Sequence, residues 1–398
     1  MESTAPTSAA TTSAAPHLVA PPTTLLAAFA AVPDPRREAS VTYPLPALLA
    51  LAVAAILCAH TSVLAIAEWG ARQSSDLLQP LGFTTGQTPC QSTLHRLFRK
   101  LDARAVAAAL RQGFDDPAER KRGEEGVAVD GKAQRGRHQF QEGAGVVDVL
   151  TAFCQEHSVV LAEEPVEQGQ GKAEAELTVA PRVIEQLDWQ GRVLTGDALY
   201  CQRQLCQQVL DRGGDYLLTV KANQPTLDHL LRRTFDPQAR PLLHCQEART
   251  IDKGHGRIDL RQLRATADPL ALPDWPGVAQ VFRIERTWWE KGERHQQVRY
   301  GITSLPPQIG TAQRLLALKR KHWLTENRGH RAKDVTLGED ASLLHQGHAP
   351  SVFSVLRNIA LSLLRRAGHH TITSRLRHHS QHPEEAVALL LHPPPTRA

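Results

Sequence analysis

Val127-Ala128-Val129-Asp130-Gly131 and Val193-Leu194-Thr195-Gly196-Asp197-Ala198-Leu199 decide the reading of this chain. Each is a short apolar run that ends on an aspartate, the pattern of a buried strand meeting the surface at a turn. An Asp before Gly is common at turns. An Asp enclosed by apolar residues, as at 197, is not a casual surface residue. Working outward, Val146 to Phe153 and Val159 to Val166 are two further strand candidates, and Ala173 to Leu187 is an amphipathic helix. Gln202 to Arg212 predicts a helix and Asp215 to Val220 a strand. The order is βββαβαβ, with helices again at 311–323 and 351–366. Three strands in succession followed by alternation predict an α/β fold, a mixed sheet flanked by helices. Residues 236–305 break the pattern. Short stretches such as Val278 to Arg286 and Gln297 to Thr303 predict an inserted, mostly β subdomain.

Before this region, residues 25–115 read as a helical domain, preceded by an Ala/Thr/Ser/Pro-rich tail over 1–24 with the composition of a flexible segment. Thr42 to Ala67 contains no Asp, Glu, Lys or Arg, long enough to raise the question of a membrane span. The run is largely Ala, and it is interrupted by Cys58, His60, Thr61 and Ser62. Pro44 and Pro46 at its start suit a first helical turn. Two packed helices with a break at His60 to Ser62 account for it, and no membrane partner is expected. Ser92 to Lys100 opens a basic helix that could face DNA or solvent.

The 398 residues give room for two or three domains, and a hydrophobic fraction of 41% with 22% charged residues suits a folded, soluble chain. A net charge of +5 permits a polyanionic partner without demanding one. The six cysteines form no CxxC pair, which points to reduced thiols in the cytoplasm rather than a disulfide framework or a zinc knuckle. The segment 371–398, rich in His, Arg and Pro, reads as a flexible tail.

Cutting or joining a phosphodiester needs in-line attack at phosphorus, which two divalent ions about 3.5–4 Å apart can support. Mg²⁺ prefers oxygen ligands and keeps several waters, so a few carboxylates from distant parts of a chain suffice. Asp130 on the first strand, Asp197 on the fourth and Glu326 in His322-Trp323-Leu324-Thr325-Glu326-Asn327 are the candidates for both catalysis and metal binding. Taken singly, each has an ordinary structural reading; their placement together is what the chemistry needs. Lys132 after the first Asp, Lys221 at the end of the fifth strand and His322 beside the Glu are candidate DNA contacts. Solvated surface charge is the plainer reading of any one of them.

The ordered blocks resemble a known family. They are Asp34-Pro35-Arg36-Arg37 with Tyr43-Pro44-Leu45 and Glu68-Trp69, then Ala128 to Lys132 with Arg135-Gly136, then Thr195 to Leu199 with Cys201-Gln202. Gly214 to Leu218 with Lys221-Ala222-Asn223-Gln224, His255-Gly256-Arg257, Arg320 to Asn327 with His330, Asp334-Val335-Thr336 and Glu339-Asp340, and Arg357-Asn358 complete the set. Together, from about Phe29 to Leu364, they resemble bacterial insertion-sequence transposases of the H-repeat-associated group. The resemblance implies a ribonuclease-H-like DDE catalytic domain over 124–370 with a β-rich insertion at 236–305. It also implies Asp130, Asp197 and Glu326 as a triad for two Mg²⁺ or Mn²⁺ ions, and Lys333, seven residues after Glu326, as a basic DNA contact. Its expected partners are double-stranded DNA at insertion-element ends and target DNA, with a homo-oligomer formed on DNA. Two positions depart from the family: the Asn of an Asn-Glu pair usual after a Lys near 172 is missing from the run Lys172-Ala173-Glu174-Ala175-Glu176, and Thr325 stands where Ile is usual. The rival reading is a non-catalytic DNA-binding protein descended from such an enzyme.

Overall fold

The computed structural model describes residues 24–114, 120–133, 148–166, 172–238, 244–254, 257–268, 273–322 and 331–393. The helices are α1 (Leu25–Ala30), α2 (Leu45–Leu57), α3 (Val63–Ala71), α4 (Ser75–Leu78), α5 (Gln91–Phe98) and α6 (Ala103–Phe114), then α7 (Lys172–Glu185), α8 (Arg203–Asp211) and α9 (Pro225–Thr234). They end with α10 (Ala312–His322), α11 (Ala349–Arg366), α12 (Ile372–Gln381) and α13 (Pro383–Leu391). The strands are β1 (Glu125–Ala133), β2 (Asp148–Cys154), β3 (Val159–Val166), β4 (Arg192–Gly196), β5 (Asp215–Val220), β6 (Gln246–Gly254), β7 (Arg257–Thr266), β8 (Gln280–Glu290) and β9 (Glu293–Thr303).

All nine strands lie in one mixed sheet of order β3-β2-β1-β4-β5-β9-β8-β7-β6. β1, β2 and β3 form an antiparallel meander, while β4 runs parallel to β1 and β5 parallel to β4. β4 and β5 are buried along their whole length, as central strands covered on both faces must be. Alternation sends their side chains to two cores. Leu194, Tyr216 and Leu218 pack with Val183 of α7 and Val209 of α8. Val193 and Leu217 pack with Leu315 and Leu318 of α10.

Two expectations change here. The strands within 236–305 do not make a separate subdomain. β9 pairs antiparallel with β5, so β6 to β9 prolong the central sheet, because the exposed edge of β5 offers backbone groups that β9 satisfies. Nor is 371–398 a flexible tail where it is described. α12 and α13 bury Ile372, Leu376, Ala386, Val387 and Leu390 in the same core as α1 to α6. The helical region is closed by its own C-terminal partners α11 to α13, an apolar pairing invisible under the His and Arg content.

The charge-free run is the centre of this helical unit. α2 is apolar all round and buried at nearly every residue because α1, α3, α11, α12 and α13 surround it. The break stands where it was expected: Ala59 takes φ 67° and Ser62 caps α3, accepting from the Ala65 amide at 3.1 Å. Among the described residues no helix is long and apolar enough to cross a membrane.

Candidate active site at the ends of the central strands

β1 and β4 pair in parallel with Glu125 opposite Arg192 and Ala128 opposite Thr195, a constant offset of 67 residues (192 − 125). Extended by two residues, past the last paired position, that register would bring Asp197 opposite Asp130. Asp197 is exposed at the first position beyond β4, and its carboxylate accepts from the Leu199 amide at 2.9 Å. Asp130 is half-buried within β1.

A third carboxylate joins them. Glu176 of α7 is only 5% exposed and accepts a hydrogen bond from the Tyr200 hydroxyl at 2.7 Å. Burial, then Glu176, then Asp130 and Asp197 push the Tyr200 phenol far up, so it stays a neutral donor. Glu176 also lies against Gly131. A Cβ at 131 would meet its carboxylate, so a larger residue beside Asp130 would have to displace the Glu176 side chain. Sequence reasoning missed Glu176 as a member of the site. The signal was present: residues 176, 179, 180, 183 and 184 form the helical stripe that buries Val179, Ala180, Val183 and Ile184, and an acid in such a stripe is out of place.

From the opposite layer, α10 reaches the same strand end. Lys319 Nζ donates to the Gly196 carbonyl at 3.3 Å and to Thr219 Oγ1 at 2.9 Å. His322 Nδ1 lies 3.1 Å from Thr195 Oγ1, which also accepts from Gln155 Nε2 at 2.6 Å. Burial first, then the positive charges of Lys319 and Arg299, push the His322 imidazole down to about 3. It is therefore neutral at ordinary pH and offers no charge to a phosphate.

The expected DNA contacts are thus dispersed. Lys221 is exposed just beyond β5, at the same end of the sheet as Asp197. His322 is neutral and engaged with β4. Lys333 is 2% exposed and donates to Glu163 Oε1 and Ser354 Oγ, both at 2.8 Å, so its ammonium faces protein rather than solvent. Arg320 is held by Asp252 and Lys321 by Glu156. The Lys132 side chain and Glu326 lie outside the described residues, as do Arg135, Arg137 and Arg328.

Asp130 and Asp197 offer hard carboxylate oxygens, the donor type that suits Mg²⁺ or Mn²⁺. Among the described residues, the group whose potential ligand atoms all lie within 4.8 Å of one another is a different one, Glu125, Cys154 and His157, near the start of β1. There Arg192, 1% exposed, donates to Glu125 Oε1 at 2.5 Å, so the carboxylate already serves a buried cation.

Residues 121–363 match the family described as the transposase DDE domain, and residues 26–112 match the domain associated with it. A protein of Escherichia coli O157:H7 that bears the transposase name YncI is 29% identical over 353 residues, 86% of this chain and 87% of its own length. YhhI of Escherichia coli K12, named as an H repeat-associated transposase, is 27% identical over 342 residues, 84% of this chain and 88% of its own. Among solved structures, the piggyBac transposase synaptic complex with hairpin DNA aligns with 89% of this chain and 72% of that one, at TM-score 0.35 and 10% identity, too slight a likeness to bear on the argument.

Proposed function

Because the chain belongs to the DDE transposase family, in its H-repeat-associated group, we propose that it cuts and joins DNA strands at the ends of its own insertion element. The observation that carries this reading is the parallel pairing of β1 with β4, which has Asp130 within the first strand and Asp197 at the first position beyond the second. The order β3-β2-β1-β4-β5, with an antiparallel meander followed by two parallel strands, supports a ribonuclease-H-like catalytic domain.

Asp130, Asp197 and, by its place in the family pattern, Glu326 would hold two Mg²⁺ or Mn²⁺ ions. When bound, such ions lower the pKa of an attacking water or 3′-hydroxyl and stabilise the leaving oxygen. The chain's own residues do the rest. Asp197 is oriented by the Leu199 amide, which limits its carboxylate to few rotamers. The Tyr200–Glu176 bond keeps a second acid beside Asp130 without placing a titrating phenol there. Lys221, exposed at the strand ends, neutralises a backbone phosphate and orients the scissile strand. Lys132, which follows Asp130 in the sequence, is proposed for the same task. The substrates are double-stranded element ends and target DNA, handled in the cytoplasm by a homo-oligomer.

The test uses labelled DNA carrying the flanking element ends, with Mg²⁺ or Mn²⁺ and with EDTA. Metal-dependent nicking at the ends that disappears in Asp130→Ala, Asp197→Ala and Glu326→Ala, with DNA binding retained, is the expected result. Binding without cleavage under either metal would leave the non-catalytic DNA binder, and absence of binding would end the transposase reading.

A further inference from the structure

α10 presents two polar side chains to the end of β4. Lys319 and His322 are three residues apart and so share one helical face. One reaches Thr195 and the other Gly196, the two residues immediately before Asp197. Lys319 also bridges to Thr219 of β5, a residue 1% exposed. Two of the three N–H donors of its ammonium are thereby spent on fixing the relative position of two parallel strand ends. Gly196 itself has little slack, since a Cβ there would stand 3.0 Å from the Tyr200 ring.

We propose that Lys319 is a positioning residue for Asp197: by tying the Gly196 carbonyl to Thr219, it fixes the point at which β4 releases the chain and so where the Asp197 carboxylate projects. The inference rests on the reading of Asp197 as a metal-holding carboxylate. Nothing in the sequence marks Lys319 out, since a lysine on a basic helix is usually a solvated charge or a phosphate contact. Here the ammonium is drawn inward. Burial, then the neighbouring Arg299, pull it down to about 8 while Asp197 draws it back up, so it remains protonated at neutral pH and keeps its donors. A leucine or methionine at 319 could fill the same volume beside Leu315 and Leu318, but it would leave the Gly196 carbonyl and Thr219 hydroxyl without the donor that joins them.

Hydrogen exchange on the full chain in EDTA tests the positioning role without reference to activity. In Lys319→Met and in Thr219→Val, which removes the other end of the bridge, the amides of Asp197 to Tyr200 are expected to exchange roughly tenfold faster, with the rest of the sheet unchanged. Lys319→Arg should restore most of the protection. In nicking assays the Met and Val variants should lose roughly tenfold or more in kcat while the Kd for DNA stays within about twofold, because the lost interaction orients a reacting group rather than binding substrate. Wild-type exchange at Asp197 to Tyr200 in both variants overturns the proposal, and so does faster exchange spread over the whole sheet with a lowered Tm. Should Lys319→Met fail to fold, Thr219→Val decides. If the wild-type chain does not nick DNA, the exchange result still judges the positioning role, while the transposase reading fails separately.

Discussion

Lys333 and Glu163 form a buried ion pair, Nζ to Oε1 2.8 Å, between the π-helical turn Ala332–Thr336 and β3. Ser354 of α11 completes it, receiving from Lys333 and donating to Glu163 Oε2 at 2.8 Å, and Asn358 donates to the same oxygen at 3.2 Å. This network ties the central sheet to the helix that closes the helical core. It assigns Lys333 to architecture, whereas Lys221 is the exposed lysine at the strand ends.

Lys221→Ala and Lys333→Ala should therefore separate cleanly. The first is expected to lower the slope of log affinity against log salt by about 1, with stability unchanged. The second should leave that slope alone and cost about 3–5 kcal/mol of stability by stranding Glu163. DNA-binding titrations across salt, paired with urea melts, read both; a salt-slope change in Lys333→Ala would contradict the assignment.

Asp197→Asn keeps the size of the side chain and its acceptor for the Leu199 amide but removes the charge proposed to hold a metal ion. Metal-dependent nicking should fall by about 10³-fold or more, since the ions contribute several kcal/mol to the transition state. Single-turnover rates measured beside DNA affinity will show whether the loss lies in chemistry; an unchanged rate would remove Asp197 from the triad.

The Arg192–Glu125 pair is buried, with Arg192 1% and Glu125 7% exposed. Glu125→Ala leaves a guanidinium in the core and is expected to cost about 3–5 kcal/mol, whereas joint replacement of both residues by Met and Leu should cost far less. Denaturant midpoints of the single and double variants measure the coupling.

Truncation after Gly368 removes α12 and α13. Five buried apolar residues leave the helical core, on the order of 10 kcal/mol of burial and comparable with the whole stability of a domain. The shortened chain should aggregate or melt without cooperativity. A truncated chain that melts like the full one would return this segment to the status of a tail.

Acid should expose His379. Its ring is buried with neither nitrogen hydrogen-bonded among the described residues, and burial, then Arg375, hold it down at about 4. The folded value lies below the unfolded value of 6.5, so the unfolded chain binds the extra proton. The stability that the neutral ring contributes is complete above pH 6.5 and is lost as pH falls toward 4. His379→Leu should flatten that part of the stability profile by about one proton, read from Tm against pH.

Much of the fold was legible in the residues, including the strand ends that carry Asp130 and Asp197. Apolar runs ending at Asp130 and Asp197 gave the strands, their alternation with helices gave the mixed sheet, and Ser62 with the polar residues before it marked the break after α2. These depend on local periodicity and turn chemistry, which a sequence carries directly. Tertiary structure alone decided the rest. Glu176 reached Gly131 through the packing of α7 over β2 and β3, Lys333 turned inward because Glu163 lies across a contact 170 residues away, and α13 closed on α2 from the far end of the chain. Such pairings depend on which surfaces meet, and no spacing along the chain encodes that; charge in particular reads the same in sequence whether a partner or water awaits it.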